Sequence, residues 1–222
     1  MKTPFNRFLY NGQGIGLGSA LGVLFGFLVG EEFGNLPHSV AVGLALGVAL
    51  GSMVANLSAD KRGWEDKLSV FSEWAEKAQA IKKELIYLVD EDTNAFNKIM
   101  DSFQLPKNTD DEKSIRNAAI ESASVYATEI PLKTMKVAYS SIEMLKYMVE
   151  QGNPNSITDA GVGLLCVKTA VRGAYFNVMV NAKGLKDKET AKKYASEAKS
   201  ILANNHKQID EILLKVEEAI NF

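Results

Sequence analysis

The chain has 222 residues, of which 46% are hydrophobic and 23% charged, with a net charge of −2. That balance excludes a polybasic nucleic-acid binder and an acidic disordered tail. A single cysteine, Cys166, excludes a disulfide scaffold, and with only His38 and His206 no metal site is expected.

The averages hide a division. Residues 1–57 carry four charges (Lys2, Arg7, Glu31, Glu32) and 11 of the 17 glycines, and the remaining 48 charges follow. Two uncharged stretches, Phe8–Gly30 and Phe33–Ala59, flank Glu31-Glu32 and the turn formers Gly34, Asn35 and Pro37. They predict two helices and a loop. Gly14, Gly18, Gly22, Gly26, Gly30 and Gly34 recur every fourth residue, and so do Gly43, Gly47 and Gly51. On a helix this spacing makes a smooth stripe that another backbone can approach closely. A membrane hairpin through residues 12–57 and a buried core hairpin both use such a stripe. The core hairpin is favoured, in a cytoplasmic protein. No small-x-small site marks a signal peptide. Residues 40–51 alternate Val or Leu with Ala or Gly, a strand-like pattern, yet both faces are apolar and a buried helix is expected.

Long amphipathic helices follow. The first is predicted over 64–103, on the stripe Leu68, Phe71, Ala75, Ala78, Leu85, Val89, Phe96, Ile99 and Phe103. Leu105-Pro106-Lys107-Asn108 stops it. The second is predicted over 112–150, kinked at Pro131. Gly152-Asn153-Pro154-Asn155 ends it, and Ser156 with Asp159 forms a capping-box pattern for a third helix, closed at Gly184. The last helix spans about 187–220. The fold class is all-α, an antiparallel helical bundle with a glycine-rich apolar hairpin at its N-terminus.

Asp92 interrupts the apolar stripe. Leu85, Leu88/Val89, Phe96 and Ile99 predict an apolar residue there, while Asp90 and Glu91 point to solvent. A carboxylate on the core face pays desolvation, which raises its pKa toward a useful acid/base value. A structural aspartate, capping a backbone break or paired with Arg172, fits the pattern equally. The Gly152–Gly163 run offers a helix start that suits a carboxylate or amide ligand, although an ordinary stop and cap is the commoner meaning. Further on, Asn177 and Asn181 lie one turn apart in apolar surroundings, and such amides need hydrogen-bond partners in a neighbouring helix or a heterocycle. Arg172 is able to clamp a carboxylate.

Met53-Val54-Ala55-Asn56-Leu57, Leu88-Val89-Asp90-Glu91-Asp92-Thr93 with Ala95-Phe96, Leu105-Pro106-Lys107, the Gly152–Gly163 run and Arg172-Gly173-Ala174-Tyr175-Phe176-Asn177-Val178 resemble the cyclodeaminase/cyclohydrolase family. The resemblance runs from about Ser39 to the C-terminus. It divides the chain into an atypical glycine-zipper segment, 1–38, and a helical domain, 39–222. It implies an all-helical homodimer with a folate pocket in a cleft and no bound cofactor. It implies that Asp92 is catalytic, and that Asn153, Asn155, Ser156, Asp159, Arg172, Asn177 and Lys107 bind substrate. The family's Pro-Gly-Gly-Gly-Ser loop is missing, and Asn35-Leu36-Pro37-His38 stands before Ser39 instead. The implied reaction converts 5-formiminotetrahydrofolate to 5,10-methenyltetrahydrofolate and ammonia. Methenyltetrahydrofolate cyclohydrolase is the alternative, and a non-catalytic membrane-anchored relative is the second.

Overall fold

The computed structural model describes residues 36–221. The segment 1–35, which holds most of the glycine zipper, lies outside the described residues. The described residues form helices α1 (Leu36–Ala59), α2 (Leu68–Gln104), α3 (Asp110–Ser140), α4 (Ile142–Gln151), α5 (Ile157–Gly184) and α6 (Lys188–Ile220). Short 3-10 turns at Glu65–Lys67 and Pro154–Ser156 precede α2 and α5, and no strand occurs among the described residues. Helix α5 is central and packs on α1, α3, α4 and α6, while α2 covers α1 and α3.

The strand-like alternation at 40–51 lies within α1, as its two apolar faces required. Leu44, Val48, Leu50, Val54 and Ala55 are buried. The glycine stripe has a core function here. A Cβ on Gly47 would lie 2.8 Å from the carbonyl oxygen of Gly163, and one on Gly163 would lie 2.9 Å from that of Gly47. The backbones of α1 and α5 touch at this crossing, which no larger residue permits. Among the described residues no helix is long and apolar enough to cross a membrane.

The phase of α2 differs from the expected stripe. The buried row is Phe71, Ala75, Ala78, Leu85, Leu88, Ala95 and Ser102, while Leu68, Phe96 and Phe103 are exposed. Leu88, Ala95 and Ser102 repeat every seven residues, as do Val89, Phe96 and Phe103 one position later. One residue turns a helix by about 100°. Small side chains at 95 and 102 let α2 approach α3 closely, and the larger phenylalanines are left on the flank.

Helix α3 begins in a capping box: the Thr109 side chain accepts from the Glu112 N–H, and Glu112 accepts from the Thr109 N–H. The helix passes through Pro131 and breaks instead at Ser141. Proline removes the N–H that would bond to the carbonyl of residue 127. That carbonyl, on Ala127, accepts from Asn181 Nδ2 at 2.7 Å. The amide from α5 supplies the missing donor and α3 continues. At the break, Ser140 Oγ donates to the Val137 carbonyl at 2.7 Å and Ser141 Oγ to that of Ala138 at 2.6 Å. Hydroxyls that bond their own backbone in this way compete with the helical ladder.

The capping box expected at Ser156 does not form, since the Ser156 side chain makes no capping bond. Asn153 caps the preceding 3-10 turn instead, accepting from the Asn155 N–H at 3.2 Å. Ser156 does precede the first residue of α5, but as the last residue of the 3-10 turn its backbone (φ −116°, ψ 13°) lacks the extended conformation usual for a capping residue.

Candidate active site

Asp92 sits between two rows of α2. Leu88 and Ala95, one turn to either side, are buried against Ala127 and Ile130 of α3. Phe96 is 61% exposed and carries the apolar flank outward. The aspartate is half-buried at this boundary, where a carboxylate is partly desolvated and still reachable. Its neighbour Glu91, expected to point to solvent, is partly exposed but also paired. It accepts from the Tyr126 hydroxyl and from Asn94 Nδ2, the latter at 2.9 Å. The Tyr126 bond, followed by that of Asn94, holds the Glu91 carboxyl below its usual range. The same bond, with burial, pushes the Tyr126 phenol up to about 12. This pair ties α2 to α3 one residue from Asp92.

The bonds Tyr126–Glu91 and Asn181–Ala127 place Asp92, Ala127 and Asn181 at one level of the bundle. Asn177 is half-buried, one turn before Asn181 on α5. Lys107 is exposed in the loop after α2, beyond Asp92 and at the same end.

The second motif lies elsewhere. The Asn153 N–H donates to Ser58 Oγ at 2.8 Å, and Ser58 Oγ donates to the Val54 carbonyl at 2.7 Å. The fully buried Ser58 thus pins the Asn153–Ser156 turn to the end of α1. Asn155 is exposed and Ser156 buried. Asp159, in the first turn of α5, is half-buried, and burial raises its pKa. From Asp159 to the level of Asn181 is 22 residues of α5, or about 33 Å along its axis. One chain therefore brings Asp92, Asn177 and Lys107 to one end of the bundle. Asn153, Asn155, Ser156 and Asp159 stand at the other.

Arg172 lies between these ends and does not pair with Asp92. It is exposed, and its guanidinium lies 3.1 Å from His206 Nδ1 on α6. Burial, then the charge of Arg172, lowers the His206 pKa, so the neutral ring is favoured as acceptor. Lys168 pairs with Asp210 one turn along. Asn181, bonded to the Ala127 carbonyl, has a structural function. Reading the sequence alone missed the Glu91–Tyr126 pair and Ser58. Nothing local marks either, because both partners are distant in the chain.

A groove of about 590 Å³ lies between α3–α4 and α6, lined by Tyr139, Glu143, Lys146 and Glu211 among others. A second, of about 700 Å³, separates α5 from α6 beside Val180, Lys183 and Lys192. Neither is lined by Asp92 or Asp159. Among the described residues no group of three or more His, Cys, Asp or Glu is placed to hold a metal ion.

Comparison with known proteins gives a consistent result. The profile of the formiminotransferase-cyclodeaminase family matches residues 39–200. The methenyltetrahydrofolate cyclohydrolase of Methylorubrum extorquens is 35% identical over 77% of this chain and 82% of its own length. The formimidoyltransferase-cyclodeaminase of Gallus gallus is 34% identical over 62% of this chain, and the match covers 25% of that protein. A crystal structure of formiminotetrahydrofolate cyclodeaminase from Thermotoga maritima shares the fold, with a TM-score of 0.68 at 22% identity, over 84% of this chain and 87% of that one. The helical bundle and the match over most of its length together place this chain in the formiminotransferase-cyclodeaminase family.

Proposed function

We propose that this protein is an enzyme acting on the one-carbon bridge of tetrahydrofolate, with Asp92 as its general acid/base. The reading rests on one observation: Asp92 stands half-buried at the edge of an apolar helix face, within the family's matched region. Both candidate reactions pass through a tetrahedral carbon between N5 and N10. In the cyclohydrolase reaction, Asp92 takes a proton from water as its oxygen bonds to the methenyl carbon. The carbon–N5 bond then breaks, a proton passes to N5, and 10-formyltetrahydrofolate leaves. In the cyclodeaminase reaction, N10 attacks the formimino carbon. Asp92 takes the N10 proton and returns it to the departing ammonia. A positioned carboxylate contributes about 10²–10⁴-fold to either.

The sequence put the cyclodeaminase first. The similarity favours the cyclohydrolase, because the relative of that name matches over most of its length. Asn177 is assigned to the pterin, while Lys107 and Arg172 are cations suited to the glutamate tail. Asn153, Asn155, Ser156 and Asp159 stand about 33 Å away along α5 and are not assigned to the substrate that meets Asp92 within one chain. The protein is further proposed to act as a cytoplasmic homodimer. Loss of the methenyl chromophore on adding purified protein, and its persistence with Asp92→Asn, supports this reading. Equal rates for the two proteins remove Asp92 from the chemistry.

A further inference from the structure

The outward flank of α2 is apolar from Asp92 to the end of the helix. Phe96, Met100 and Phe103 are 61, 44 and 50% exposed. Counting about 100° per residue from Asp92, Phe96 stands about 40° around the helix, Phe103 about 20° and Met100 about 80°. The three side chains therefore form one ramp, with Asp92 at its head. Asp101, the acid within this stretch, falls on the opposite side of the helix. From Asp92 to Phe103 the ramp runs about 16.5 Å.

The foot of the ramp carries positive charge. Arg116, from α3, donates from Nη2 to the Phe103 carbonyl at 3.2 Å, and its guanidinium carbon lies 5.6 Å from the centre of the Phe103 ring. One hydrogen bond and one ring thus hold the cation in place. Among the described residues no carboxylate pairs with it. Lys107 follows in the exposed loop just beyond. The acids of this corner are engaged elsewhere. Asp110 pairs with Lys113, and Glu112 accepts from the Asn108 and Thr109 N–H groups.

A carboxylate, an apolar span with aromatic rings, and a pair of cations follow one another along one line. A tetrahydrofolate presents complementary groups in the same order: the reacting N5 and N10, then a benzoyl ring on N10, then the carboxylates of glutamate. With N10 at Asp92, the benzoyl ring falls at Phe96, one turn further along. We infer that α2 carries the platform for the p-aminobenzoyl-glutamate arm of the substrate. Phe96 stacks on the benzoyl ring, Met100 and Phe103 cover the apolar span, and Arg116 with Lys107 takes the carboxylates. The inference rests on the folate reading of Asp92. It selects Lys107 over Arg172, whose guanidinium faces His206 on α6.

The arm alone is the sharpest probe, because it lacks the reacting atoms. p-Aminobenzoyl-glutamate at millimolar concentration is titrated into the full-length protein and followed by calorimetry. The wild type is expected to bind it, and Phe96→Ala to bind it about 10-fold more weakly. Phe96→Tyr keeps the ring and regains the affinity, whereas Phe96→Leu keeps apolar area without a ring and stays impaired. Lys107→Gln weakens the same binding and reduces its salt dependence. In turnover, Phe96→Ala raises KM by more than it lowers kcat, with no fall in melting temperature. No binding of the arm by the wild type, equal affinity of wild type and Phe96→Ala, or full affinity of Phe96→Leu overturns the platform. If the arm binds as described and neither folate is turned over, the reading of Asp92 fails by itself. If turnover depends on Asp92 and the arm ignores Phe96, the platform alone fails.

Discussion

The two ends of α5 are held by different means. At the Asp92 end, Asn181 fills the hydrogen-bond vacancy that Pro131 leaves in α3, and the Glu91–Tyr126 pair fixes α2 beside it. At the Asp159 end, one buried serine, Ser58, joins α1 to the turn before α5. The first end is built from paired polar groups around a half-buried aspartate. The second exposes a helix start and a carboxylate whose pKa is raised by burial alone. Polar residues near a candidate site thus include some, Asn181 and Ser58, whose function is to hold backbone.

Substitutions at each end sharpen this contrast. The largest effect belongs to Asp92→Asn, which is expected to lower kcat by about 10²–10⁴-fold with little change in thermal stability. Steady-state kinetics and a melting curve on the same preparation check both halves. A large fall in melting temperature instead makes Asp92 a structural residue. Next comes Asn181→Ala, which strands the Ala127 carbonyl and costs about 1–3 kcal/mol. Pro131→Ala restores the missing N–H, so the double variant regains much of the loss in urea titration. Simple addition of the two losses breaks the proposed compensation.

At the opposite end, Ser58→Ala removes the acceptor of the Asn153 N–H and is expected to cost about 1–2 kcal/mol. It also loosens the turn before α5. An unchanged midpoint in urea titration contradicts the hold of Ser58 on that turn. The smallest effect is that of Asp159→Asn on stability. A carboxyl whose folded pKa is raised favours folding below the unfolded pKa, near 3.9, and this contribution is lost as pH rises through the folded value. At pH 7 the ionised Asp159 therefore costs stability. Asp159→Asn is expected to melt slightly higher than wild type at pH 7, and the gain to vanish near pH 3. A lower melting temperature at pH 7 shows that the ionised carboxylate is stabilised by its surroundings.

Much of the fold was legible in the sequence because long amphipathic helices announce themselves by period. The 64–103 pattern became α2 at 68–104, and the uniform apolarity of 40–51 correctly outweighed its alternation. Phase was harder. Two seven-residue rows, Leu88–Ala95–Ser102 and Val89–Phe96–Phe103, competed for the core, and size alone favoured the wrong one. The fate of Pro131 depended on Asn181, fifty residues away, and no local pattern carries that information. At the candidate site, the break in periodicity at Asp92 located a half-buried carboxylate beside packed neighbours. The distance between the two motifs was hidden, because order in the chain does not reveal height in a bundle.

The central claim is that this chain transforms the one-carbon bridge of tetrahydrofolate using Asp92. The most direct measurement gives 5,10-methenyltetrahydrofolate, and separately 5-formiminotetrahydrofolate, to the full-length protein and to Asp92→Asn, following product over time. The account predicts water-dependent formation of 10-formyltetrahydrofolate by the wild type and almost none by the variant. No turnover of either folate by the wild type, or equal turnover by both proteins, contradicts it.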